Sequence, residues 1–274
     1  MIHPLRRASR AAPLLAGSLL AACAALPQGP APDLPRQGLT PEAFLDRLAT
    51  DGAAARTLRG LASVRYEGPE GQGSATQAIV VALPDRARLE VLSPLGTAVL
   101  LLTIRGDDLA VYAPARHEYG TGRATRETLG RLAQVPVPPK PLLRLLAGLP
   151  PLPIRPEDPR LRLAMEGGAI RVESVDGPFW QRVWSDRDGL APERGELGEA
   201  AGLLLTFEFG ERRRLDGVEF PFAVRLEAVT AGTRVAIQYE TVRLNEPVEA
   251  GLFDLPRPSD GKTRFLDLGA WPPP

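Results

Sequence analysis

Few side chains in this 274-residue sequence have the types needed for covalent or acid–base chemistry. There is one cysteine, Cys23, and of the two histidines only His117 lies beyond the first few positions. His117 stands between Arg116 and Glu118 on an expected exposed turn. A metal site built on His and Cys therefore lacks ligands, and a Ser-His-Asp arrangement would depend on this one imidazole. No nucleophile elbow, phosphate-binding loop, zinc-protease helix motif or dinucleotide fingerprint occurs. Asp107-Asp108 has the composition of a carboxylate pair, but neighbours in a strand face opposite ways. With Gly106 before them, they read as a hairpin turn. Arg212-Arg213-Arg214 has the charge to meet a phosphate or headgroup. Followed by Leu215-Asp216-Gly217, it reads instead as a solvated turn between strands. These residues argue against an enzyme, and none implies a bound metal or cofactor.

Cys23 sits in a context that gives its thiol a different use. Arg6, Arg7 and Arg10 form a basic start, and Ala11 to Ala22 form an apolar run ending in Leu20-Ala21-Ala22. The run is shorter than the about 20 residues that a membrane span needs. This order reads as a bacterial lipoprotein signal, and it matches the lipobox pattern. The match implies cleavage after Ala22, a diacylglycerol thioether on Cys23 and acylation of the new amine. Lipid would then be carried covalently rather than as a cofactor. Residues 1–22 become a signal peptide, which leaves 274 − 22 = 252 residues, enough for one large β domain or two small ones. Under the enterobacterial sorting rule, Ala24 implies release to the outer membrane, with the domain facing the periplasm. The formal net charge of +0 gives no pull toward nucleic acid.

The elements behind the anchor follow from spacing. Residues 23–39 hold the lipidated cysteine and a Pro, Gly and Ala-rich tether. At ~3.1 Å per residue, its extended part would span roughly 45 Å. Thr40-Pro41-Glu42 is a helix start, with an N-cap, a proline at N1 and an acid in the first turn. Phe44, Leu45 and Leu48 mark one face of a helix expected over 41–56. From Val64 and Tyr66 the apolar period becomes two, and strands are expected near 75–83, 86–93, 98–105 and 108–113. Thr125 caps a short helix, and Pro139 to Pro141 open a second one with leucines to Leu146. A hairpin turning at Gly167-Gly168 and strands near 179–185, 202–210, 218–229 and 233–244 complete the pattern. The folded part is placed at 40–256, and 257–274 reads as a proline-rich tail. The whole is mainly β (α+β), an antiparallel sheet of about ten or eleven strands. A sheet that large curls, and helices can cover its concave side.

Two blocks carry a resemblance. The first is Leu92-Ser93-Pro94-Leu95-Gly96-Thr97 with apolar strands on both sides. Local physics leaves open whether Leu95 points outward or folds back onto the sheet. The second is residues 125–150, a short helix, a Pro-x-Pro link, a leucine helix and Gly-Leu-Pro. With the lipobox and the first helix, these blocks resemble the LolB family of outer-membrane lipoprotein receptors over about residues 20–155. Farther on, Gly217-Val218-Glu219-Phe220-Pro221, Leu244-Asn245-Glu246-Pro247 and Phe253-Asp254-Leu255-Pro256 look more like LolA-type carriers. The resemblance implies a half-open β-barrel with helices over an apolar cavity. It implies a protein, expected as a monomer, that accepts lipoprotein acyl chains from a soluble LolA-like carrier and inserts them into the outer membrane. Leu95 would then be the outward residue of a membrane-insertion loop. Candidate cavity-lining residues are Val64, Tyr66, Leu89, Val91, Leu100, Leu102, Leu142, Leu145, Leu146, Phe207, Phe209 and Val224. Alternation gives the buried face, and leaves open whether that face encloses a void or packs a dry core. The alternative function is an outer-membrane lipoprotein of the same fold that binds a protein or senses lipid without transferring it.

Overall fold

The computed structural model describes residues 40–189 and 191–270. The expected signal peptide, Cys23 and the expected tether lie outside the described residues. Helix α1 (Pro41–Ala54) begins where its cap predicts, with the Thr40 hydroxyl accepting from the Ala43 N–H at 3.2 Å. The chain then builds β1 (Thr57–Gly68), β2 (Gly71–Ala82), β3 (Arg86–Leu92), β4 (Ala98–Arg105), β5 (Asp108–Ala113) and β6 (Glu118–Arg123). Helices α2 (Arg126–Ala133) and α3 (Pro139–Leu146) follow. Next come β7 (Arg162–Glu166), β8 (Ala169–Asp176), β9 (Phe179–Ser185), β10 (Pro192–Glu199), β11 (Gly202–Leu215), β12 (Val218–Ala228) and β13 (Thr233–Leu244). A short strand, β14 (Arg264–Asp267), ends the series.

All fourteen strands form one open sheet, in the order β14-β6-β5-β4-β3-β2-β1-β13-β12-β11-β10-β9-β8-β7. The first six wind outward from β1, and β7 to β13 wind back from the opposite edge until β13 pairs with β1. Residues 124–161 must therefore travel from one edge of the sheet to the other. They do so over the inner face, so the helices cover that face because of the topology. The core forms between them. Phe44 and Leu48 of α1, Leu129 of α2, and Leu143 and Leu145 of α3 pack on inner-face residues such as Ala62, Ile79, Phe207 and Val224.

After β13 the chain crosses the outer face. Asn245 and Glu246 bond to Thr57, the Arg88 guanidinium donates to the Leu252 carbonyl, and Phe253 is buried beneath the Arg86 guanidinium. β14 then pairs parallel with β6, and Leu268 folds round that edge into the core. Residues 257–274 thus include a strand within what the composition marks as a tail.

Eleven strands coincide with the apolar alternation; β6, β10 and β14 do not. β6 reads EYGTGR and β10 reads PERGELGE, with too little branched or aromatic content to signal a strand. Their pairing comes from neighbours. A side chain at Gly195 would meet the Phe207 ring at 2.4 Å, and one at Gly198 would meet the Trp180 ring at 2.2 Å. Those two glycines leave room for aromatic rings of the flanking strands. Arg212 to Arg214 is a second departure: these residues lie within β11, paired with β12, and the turn comes only at Asp216-Gly217. Arg213 stacks on Phe222 at 4.0 Å, and Arg212 bonds to the Pro192 carbonyl.

Candidate functional site

The β3–β4 hairpin is organised by its own polar groups. Ser93 N–H donates to the Thr97 carbonyl at 2.8 Å, and Gly96 N–H donates to the Ser93 carbonyl at 2.9 Å. The Thr97 N–H donates to the Ser93 hydroxyl at 3.2 Å. Pro94 presets one central dihedral, and Gly96 takes a φ of +78° at no steric cost. The loop is therefore satisfied without Leu95, whose side chain projects with 93% exposure. Burying a leucine is worth about 1.5–3 kcal/mol, so this residue gains by meeting any apolar phase.

The inner face of the sheet is covered unevenly. Along β4, Ile104 is 2% exposed, Leu102 is half-buried and Leu100 is 36% exposed. Along β1, Leu58 and Ala62 are buried, Val64 is 8% exposed and Tyr66 reaches 45%. In both strands exposure rises toward the end that carries Leu95 and the β1–β2 turn. Along β1 and β4 the apolar face meets solvent at that end, whereas on β11 to β13 Leu205, Ala228 and Thr233 of the same end are buried. Val99, on the opposite face of β4, adds a further exposed aliphatic next to the hairpin.

The cover is tied to the sheet at two buried points. The Tyr239 hydroxyl on β13 donates to the Leu146 carbonyl at the end of α3, at 2.7 Å. Full burial pushes the Tyr239 phenol well above its ordinary value, so it stays a neutral donor. Gln181 on β9 accepts from the Leu152 N–H at 2.9 Å and donates to the Leu152 carbonyl at 3.0 Å and the Ser174 hydroxyl at 2.8 Å. Toward the open end, the tie is Gln134, just past α2, which donates to the exposed Glu70 carboxylate at 2.9 Å.

The candidate lining residues divide by position. Val64, Leu145, Leu146, Phe207, Phe209 and Val224 are buried; Leu89, Val91, Leu102 and Leu142 are half-buried; Tyr66 and Leu100 are exposed. Alternation also marks Ile237 and Tyr239 on β13 as inward-facing. Nothing local marks the Tyr239 hydroxyl as a tie, because its acceptor is 93 residues away. His117 and Asp107 stand apart from this face: His117 lies 3.6 Å from Asp260, and Asp107 pairs with Arg123 at 2.7 Å. Among the described residues, no three His, Cys, Asp or Glu side chains gather as a metal site would require.

No protein-family model matches this chain, and no curated protein matches it. Solved structures do. A DUF1329 family protein from Desulfovibrio piger superimposes with a TM-score of 0.55 at 12% identity, covering 78% of this chain and 96% of that one. A LolA superfamily protein from Nitrosomonas europaea superimposes with a TM-score of 0.51 at 14% identity, covering 80% of this chain and 99% of that one. At such identities the likeness concerns architecture: this chain has a LolA-like fold, a large open antiparallel sheet with helices over its inner face.

Proposed function

We propose that the chain is a lipid-anchored, periplasm-facing protein that binds lipoprotein acyl chains on its inner face and delivers them to the outer membrane. The observation that carries this reading is the gradient of exposure along β1 and β4, which ends beside the projecting Leu95. An acyl chain gains ~0.8 kcal/mol per buried CH₂, roughly 12 kcal/mol for sixteen carbons. A receptor must match most of that burial without exceeding the bilayer's, or the cargo would not leave. An aliphatic face without directional bonds meets both conditions. Leu95, at the open end, would enter the membrane and lead the chain across. An anchor at Cys23 would hold the domain at the receiving membrane, which favours a receptor over a shuttling carrier.

Two measurements test this. Lipid extraction of residues 24–274, secreted without the lipid anchor, is expected to yield co-purifying acyl chains. Leu95→Glu is expected to leave the thermal midpoint unchanged, because the side chain touches nothing, and to reduce lipoprotein transfer from a loaded carrier to liposomes severalfold. Transfer at the wild-type rate would remove the role assigned to Leu95. Bare protein from the extraction would instead favour a protein-binding module of the same fold.

A further inference from the structure

A second concavity lies at the end of β1 to β6 opposite Leu95, where the β8–β9 turn of the far half of the sheet also meets it. It is a cleft of about 770 Å³, bounded by the β2–β3, β4–β5 and β8–β9 turns, the end of α1, and the first turns of α2 and α3. Prolines, among them Pro84, Pro139, Pro141, Pro153 and Pro178, form much of its wall. Proline has a fixed φ and no N–H donor, so the wall is stiff and preformed.

The charges in this cleft do not balance. Two acids line it, and each is matched by an arginine outside the lining: Asp107 by Arg123 at 2.7 Å and Asp176 by Arg155 at 3.1 Å. Of its four cations, Arg126 pairs with Glu199 at 2.7 Å. Arg56 and Lys140 have no side-chain partner among the described residues. Arg144 uses only its Nε, which donates to the Pro150 carbonyl at 2.8 Å. Burial pushes the Arg144 guanidinium down to about 10, which still leaves it charged at neutral pH. Asp176, already paired with Arg155, offsets this largely buried charge only in part, and a further counter-charge would relieve it. The two helix starts differ as well. α2 has the Thr125 cap and Glu127 in its first turn, whereas α3 follows Pro138 with no side-chain cap and no acid. No acid of the first turn offsets the charge of Lys140 there.

We propose that this cleft binds a phosphate ester, with Arg56, Lys140 and Arg144 as its cationic contacts. Three cations suit a doubly charged group with several acceptor oxygens better than a single carboxylate. The proline walls would hold the ester's organic part. The source is either a soluble ester or a phospholipid headgroup, and the site stands whether or not the inner face carries acyl chains.

The test uses the full-length protein in phosphatidylcholine nanodiscs, titrated calorimetrically with glycerol 3-phosphate. Saturable binding that weakens with added salt is expected. The Arg56→Gln, Lys140→Gln double variant should bind about tenfold more weakly or worse. Both side chains are exposed, so an unchanged thermal midpoint verifies the fold. If discs containing phosphatidylglycerol compete with glycerol 3-phosphate, the headgroup occupies the site; if they do not, the ligand is a soluble ester. Absence of saturable binding, equal affinity in the double variant, or preference for an acidic peptide overturns the proposal.

Discussion

Tyr239 joins the sheet to its cover through one hydrogen bond to the Leu146 carbonyl, inside the core. Replacing it with phenylalanine keeps the ring and orphans a buried acceptor, at a cost of about 1–3 kcal/mol. Tyr239→Phe should therefore lower the urea midpoint, and amides at the end of α3 should exchange faster. Unchanged exchange there would mean that packing alone holds the helix. A second residue reports on pH. Hydrogen bonds from the Arg160 side chain, then from its backbone, hold the Asp158 carboxyl down to about 2 from 3.8. A carboxylate depressed on folding adds stability above its unfolded value, and that stability is lost as pH falls through the folded one. The increment is small because its partner Arg160 is solvent-exposed. It should disappear between pH 3.8 and about 2, and Asp158→Asn should remove that step from the stability profile.

β10 shows what a strand gains from its neighbours. Its residues carry little strand propensity, and two glycines accept the rings of Phe207 and Trp180 from either side. Gly195→Ala would push a methyl to 2.4 Å from the Phe207 ring and 2.5 Å from the Arg182 carbonyl. Overpacking of this kind costs about 1–3 kcal/mol. Gly210→Ala on β11 is the control, since its nearest neighbour would be the Ala223 methyl at 3.6 Å, an ordinary contact. Urea denaturation should separate the two variants clearly. The helices present the opposite case. Thr40 and Thr125 cap α1 and α2 through bonds three residues away, so these starts are legible in a short stretch of sequence.

At the scale of the molecule, the chain crosses the sheet twice. Residues 124–161 pass over the inner face and form its cover; residues 245–263 pass over the outer face and lead to β14. The second crossing protects an edge. β14 supplies partners to β6, and Leu268 is buried against α2, where Arg131 donates to the Leu268 and Gly269 carbonyls at 3.0 Å each. Removing residues 257–274 should expose the β6 edge, accelerate exchange of its β14-facing amides and promote self-association. Loss of the Leu268 contact alone represents about 1.5–3 kcal/mol. If β6 exchanges as slowly without these residues, the strap contributes nothing to that edge.

The sequence by itself determined the features set by short-range chemistry. These are the helix starts at Thr40 and Thr125, the eleven alternating strands, and the turn that holds Leu95. Each depends on residues a few positions apart, through caps, φ preferences and the period of two. Only the tertiary structure decided the rest. It brought β6, β10 and β14 into the sheet, ran β11 through Arg212 to Arg214, and laid the helices across the inner face. It also left that face exposed along β1 and β4 at the end where Leu95 projects. The physical reason is separation along the chain. Trp180 over Gly198, Leu268 beside Gly122 and Tyr239 on Leu146 join residues 18, 146 and 93 positions apart. Local periodicity holds no record of such pairs.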